Sequence, residues 1–202
     1  MKLLCRAALL SLLCAAFSIV RGGEILPVRS YTTSDGLVSN FVQNIVRDSK
    51  GFLWFCTRGG LSRFDGHTFK NYTTADGLPH PTINQLLETR GGEYWIATNG
   101  GGVARLNQAQ ATEKFTVFKV GETAATNQVN YIFEDRTGRI WATTDGGLFL
   151  FDRAANIFRG FALEPESASS SEYLTADIDE DRAGTVWVTG HSSLHRISPN
   201  GE

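Results

Sequence analysis

Apolar residues in this chain gather in short runs that leave no clean polar face, as in Phe52-Leu53-Trp54-Phe55-Cys56 and Tyr94-Trp95-Ile96-Ala97. Few stretches show the three-and-four spacing that would lay an apolar stripe along a helix. The runs are rich in Val, Ile, Phe, Trp and Thr and are bordered by Gly, Asn and Asp, a pattern that predicts short strands in an all-β chain. In the first such unit the predicted strands cover Val42 to Arg47, then 52–57, 60–65 and 68–72. Asp48-Ser-Lys-Gly51 joins the first two: the aspartate caps its own turn, and the glycine supplies the positive φ that its fourth position often requires. Arg58-Gly59 links the second strand to the third, and Asn99-Gly100 and Asp145-Gly146 fill the same place later in the chain. Asn-Gly and Asp-Gly are strong hairpin signals. Asp65-Gly66 repeats the device, so each unit reads as a meander. Sheets that are apolar on both faces cannot stand alone and are buried by stacking on their copies.

The units recur. Trp54, Trp95, Trp141 and Trp187 follow one another at 41, 46 and 46 residues, and Gly51, Gly92, Gly138 and Gly184 each lie three positions before one of them. Asp48, Asp135 and Asp181 open the matching turns, with Thr89 in the second copy. Tyr31-Thr-Thr-Ser-Asp35-Gly36-Leu37 returns as Tyr72-Thr-Thr-Ala-Asp76-Gly77-Leu78, again 41 residues on. A period of this length matches one four-stranded blade of a β-propeller. The reading is an all-β chain of about four four-stranded antiparallel blades, near 42–73, 83–119, 129–161 and 174–202. The fourth is the most degenerate, because Gly190-His191-Ser192-Ser193 has lost the paired glycines. A further strand is expected near 28–33, and only three in blade four. That extra strand would either close a ring of four blades or leave an open arc. An open arc predicts self-association, or pairing with remaining blades of a longer receptor. The polar connection 162–173 reads as a mobile edge.

The stretch from Asn44 to Asp65, with Asp48, Gly51, Trp54, Thr57, Gly59-Gly60-Leu61 and Phe64-Asp65, resembles the repeat of the two-component regulator propeller family. Phe133 to Asp152 resembles it nearly as closely. The second copy departs at Thr89, Gly102 and Asn107, and the fourth at Gly190, Ser192, Ser193 and Ser198. The resemblance implies the extracytoplasmic sensor region of a histidine kinase, with a propeller of about seven blades, inside the four-to-eight range of the architecture. It also implies a later β-sandwich, membrane helix and kinase, and ligands that are often oligosaccharides. Its motif residues serve turns and packing, so it carries no ligand-binding position onto this chain.

Composition narrows the picture. Basic residues near the start and the apolar run from Ala7 to Val20 read as an export signal over 1–22, with a retained anchor as the alternative. Without it, 16 basic residues face 21 acidic ones, a net charge of −5. With no Lys/Arg run, nucleic-acid binding is not expected. Cys56 is the one cysteine beyond the signal, so no internal disulfide is available, and it reads as a small buried filler. Asp177-x-Asp179-x-Asp181 lacks the glycine placement of a calcium loop. His191 and His195 flank a hairpin, whereas His67 and His80 read as loop residues. Gly100-Gly101-Gly102 has no helix behind it to hold a phosphate. No catalytic set, metal site or cofactor site stands out, and the tryptophans read as packing. The function so inferred is an exported, ligand-sensing propeller, possible partners being an oligosaccharide or another small extracellular ligand. A secreted propeller lyase or glycosidase, or a protein-binding scaffold, is the alternative.

Overall fold

The structure is a computed structural model and describes residues 28–107, 113–163, 175–190 and 192–199. The chain divides into two compact units, Met1–Ser30 and Tyr31–Glu202, and every described strand lies in the second. The signal segment 1–22, most of the connection 162–173 and His191 fall outside the described residues.

Four antiparallel meanders fill the second unit, each with its strands in chain order. Blade one comprises β1 (Val42–Arg47), β2 (Leu53–Thr57), β3 (Leu61–Phe64) and β4 (Phe69–Tyr72). Blade two comprises β5 (Ile83–Glu88), β6 (Tyr94–Thr98), β7 (Val103–Leu106) and β8 (Phe115–Phe118). Blade three comprises β9 (Val129–Glu134), β10 (Ile140–Thr144), β11 (Gly147–Asp152) and β12 (Ile157–Phe161). Blade four has β13 (Thr175–Glu180), β14 (Val186–Gly190) and β15 (Leu194–Ile197), three strands among the described residues.

The hairpins owe their tightness to threonines as well as glycines. Buried Thr57, Thr98 and Thr144 end the second strand of blades one to three, and each hydroxyl donates across the loop to the carbonyl of Gly60, Gly102 or Gly147 at 2.7–2.8 Å. Gly60 itself sits at φ +140°, and a Cβ there would lie 2.3 Å from the Tyr72 carbonyl oxygen. Only glycine fits that approach.

No strand forms near 28–33, contrary to the sequence expectation. Thr33–Asp35 is instead a 3-10 turn in which the Asp35 carboxylate accepts from the Thr32 N–H and hydroxyl at 2.8 and 3.0 Å. The repeated sequence behaves in the same way at Thr74–Asp76, where it follows β4. The difference lies upstream: residues 69–72 pair with β3, whereas residues 28–32 belong to none of the described sheets.

Successive blades stack through their first strands, β1 and β2 against β5, β5 and β6 against β9, and β9 and β10 against β13. Each tryptophan from Trp54 to Trp141 is buried, and it points into the core shared with the following blade. The Trp54 ring lies 5.4 Å from Tyr94, and the Trp95 ring lies 4.8 Å from Phe151. Trp141 packs with Ile178, Val186 and Val188. Removing roughly 200 Å² of indole surface from water contributes about 5 kcal/mol of transfer free energy, well above any one exposed ion pair. Trp187 is only half-buried.

A polar seam runs beside each core. The backbone N–H and hydroxyl of Ser49 donate to Glu88, both at 2.6 Å. Arg90 N–H donates to Glu134 at 2.7 Å, and its guanidinium reaches the carbonyls of Asp135 and Arg136. Arg136 repeats the arrangement on Glu180, Asp181 and Arg182. At the other end of the first strands, Asn84 and Asn130 donate to the carbonyls of Val129 and Thr175 at 2.8 Å.

Candidate functional site: the cleft between blades one and two

The turn aspartates do more than cap. Asp48 accepts at one oxygen from the Lys50 and Phe52 N–H groups at 3.0 and 2.8 Å, and at the other from the Trp54 indole at 2.8 Å and the Tyr94 hydroxyl at 3.0 Å. Asp135 accepts from Trp141 at 2.9 Å, and Asp181 from Trp187 at 3.0 Å. Burial alone would push the Asp48 and Asp135 carboxyls up, yet the hydrogen bonds outweigh it and both titrate below the ordinary value. A carboxylate so fully committed stays ionised and serves structure. The Tyr94 phenol is pushed up, first by burial and then by the Asp48 carboxylate it donates to.

Blade two solves the same problem differently. Thr89 caps the turn through its hydroxyl, which accepts from the Glu93 N–H at 3.0 Å, but it is too short for the indole. Glu93 takes that role, receiving Trp95 Nε1 at 3.4 Å and pairing with Arg105 at 3.3 Å and Arg153 at 3.4 Å. Sequence reasoning identified Thr89 as a departure without seeing that Glu93 compensates for it. The available signal was a carboxylate two residues before the tryptophan.

These differences leave one seam chemically unlike the others. Between blades one and two lies an open cleft of about 280 Å³. Lys50, Arg63, Lys70 and Lys114 line it, together with the rings of Tyr72 and Tyr94. Lys114 is tied to Asp76 at 2.5 Å. Lys50 and Lys70 are exposed, with Nζ 5.8 Å from the Tyr94 centroid and 5.4 Å from the Tyr72 centroid. The Arg63 guanidinium lies 4.3 Å from the Phe52 ring and 5.9 Å from Trp54.

Among the described residues no group of His, Cys, Asp and Glu is placed to hold a metal ion, so Asp177, Asp179 and Asp181 form no such site. Gly101 is packed against Pro79, where a Cβ would come within 2.7 Å, so the three glycines form a filled hairpin. His80 Nδ1 accepts from the Thr82 N–H at 3.1 Å, and His195 Nε2 lies 2.7 Å from the Ser193 hydroxyl. His67 sits in the turn that Asp65 caps. Cys56 is fully buried, and burial pushes its thiol up to about 12. Among the described residues no helix is long and apolar enough to cross a membrane.

Comparison with known proteins agrees with the propeller fold. The family model for the two component regulator propeller matches residues 36–59 and 124–146, which hold the first two strands of blades one and three and the turn between them. A 42-residue stretch is 52% identical to Histidine kinase P4 of Formosa agariphila, covering 21% of this chain and 3% of that protein. The extracellular domain of BT3049, assigned to a hybrid two component system of B. thetaiotaomicron, superposes with a TM-score of 0.69 at 25% identity over 86% of this chain. That of BT4673 from the same organism gives 0.66 at 30% identity over 81%. This chain spans 24% of the length of each of the two structures.

Proposed function

We propose, starting from the two-component regulator propeller repeats of which this chain is built, that it is the ligand-sensing part of an extracytoplasmic receptor. Residues 1–22 would direct its export, and its blades would present a small extracellular ligand's binding surface to the rest of the protein. The observation that carries the reading is the likeness to two extracellular domains of B. thetaiotaomicron, at 25% and 30% identity over more than four-fifths of this chain. The committed turn carboxylates agree with it, since an aspartate saturated by donors is a poor proton acceptor for hydrolysis or elimination. Binding without turnover is the test. The chain is incubated with a panel of neutral and acidic oligosaccharides, melting is followed for stabilisation, and each saccharide is then analysed for length. A raised melting temperature with the saccharide intact supports a sensor, whereas shortened or unsaturated products would make the chain an enzyme.

A further inference from the structure

Two arginines occupy equivalent places in blades one and two. Arg63 pairs across the ladder with Trp54, and Arg105 with Trp95. Each guanidinium lies over aromatic rings, Arg105 at 5.4 Å from Trp95 and 5.5 Å from Phe118. Their partners differ. Arg105 is neutralised by Glu93 two residues before its tryptophan, and in blade three Arg139, over Trp141 at 5.1 Å, is neutralised by Asp135. The position of Glu93 is held in blade one by Phe52. Arg63 therefore belongs to none of the ion pairs among the described residues, and its Nε is buried without a hydrogen-bond partner.

A buried guanidinium N–H without an acceptor is costly, and such groups in native proteins call for an explanation. The rest of the same side chain helps line an open cleft, together with Lys50, Lys70 and the Asp76-paired Lys114. The carboxylates described around it are already engaged, Asp48 by four donors, Asp76 by Lys114 and Thr73, and Glu88 by Ser49. Cation-rich, partly enclosed and floored by aromatic rings, the cleft lacks just the component that Glu93 supplies one blade later.

We infer that the cleft between blades one and two binds an oxyanion, a carboxylate or a sulfate or phosphate group, which accepts from Arg63 as Glu93 does from Arg105. Paired oxygens of a carboxylate, sulfate or phosphate match the donor fork of a guanidinium, and Lys50 and Lys70 add point charges at the rim. Such a group could be a free inorganic ion or could be borne on a saccharide. The inference deepens the sensor reading and rests on it for its biological consequence.

The Trp54 indole resonance reports from inside the cleft. Nuclear magnetic resonance titrations of the 202-residue chain at constant ionic strength would use inorganic sulfate, inorganic phosphate, galacturonate and, as the uncharged control, galactose. A saturable shift of Trp54 with any of the anions, and none with galactose, is the expected result. Response to sulfate or phosphate alone would assign the site to inorganic or ester anions, and response to galacturonate would assign it to acidic saccharides. Phe52→Glu supplies the carboxylate internally on the pattern of blade two and should abolish the shift while melting stays cooperative. Lys70→Gln, at an exposed position, should weaken binding by up to about tenfold with no change in folding. An absent or non-saturating shift with all three anions overturns the inference, as does an unchanged response in the folded Phe52→Glu or Lys70→Gln chain. A cleft that takes no anion leaves the sensor reading standing. A chain that cleaves saccharides yet still shifts with sulfate overturns that reading and keeps this one.

Discussion

Replacing Asp135 by threonine isolates what the turn carboxylate contributes. The carboxylate is fully buried and accepts from Trp141 Nε1, from the N–H groups of Thr137 and Arg139, and from the Arg139 guanidinium at 2.5 Å. Thr89 shows in blade two that a threonine hydroxyl can still cap the turn, so the backbone is largely provided for. The indole N–H is not: Trp141 is inaccessible to water, and an unsatisfied buried donor costs about 1–3 kcal/mol. Loss of the ion pair with the partly exposed Arg139 adds about 1 kcal/mol. Asp135→Thr should therefore destabilise by about 2–4 kcal/mol. In urea, with an m-value of about 2 kcal/mol/M, the midpoint falls by roughly 1–2 M at unchanged slope. Adding Arg139→Glu places a carboxylate where Glu93 stands in blade two and should restore about 1 kcal/mol, read as a coupling in a double-mutant cycle. A single variant within about 0.5 kcal/mol of the parent, or a double variant with no recovery, would refute the role assigned to the indole hydrogen bond.

Stability should also fall in acid through these same groups. Asp48 and Asp135 titrate below 3.8 when folded, so their stabilisation is complete above that value and disappears as pH drops through their folded values. Urea midpoints at fixed ionic strength that stay flat from about pH 5 to about pH 2 would contradict this. Cys56, buried with its thiol near 12, should resist a thiol-specific reagent in the native chain and react only as urea unfolds it. Native labelling at the rate of a free cysteine would remove it from the core.

Much of the architecture was legible because its signals are local. Gly51, Gly92, Gly138 and Gly184 all adopt positive φ, as the fourth position of these Asp- or Thr-capped turns requires, and β1 runs over the residues expected. Strand existence away from a partner was not legible: 28–33 shares the sequence of a strand-to-turn junction but lacks the edge that makes 69–72 extended. The cleft was hidden for a related reason. Phe52, Arg63 and Lys114 are far apart in the chain, and the significance of Arg63 appears only when its neighbours are compared with those of Arg105. The periodicity that exposes the blades also masks such exceptions, since a phenylalanine in place of Glu93 looks like one more apolar strand residue.

The polar seams also have a direction. In the three junctions present, the residue after the turn aspartate or threonine, Ser49, Arg90 or Arg136, gives hydrogen bonds to the glutamate before the next blade's turn. Blade four continues the series on its giving side with exposed Arg182, but on the receiving side of blade one the glutamate's place is taken by exposed Arg47. Setting blade four against blade one, in a ring of four or in a head-to-tail pair of copies, would oppose two guanidiniums. Such a contact is repulsive, where every other junction gains an attraction. Charge thus gives each blade an address: Arg182 suits a neighbour with an acid before its turn, Arg47 suits one with an acid after it, and neither suits the other.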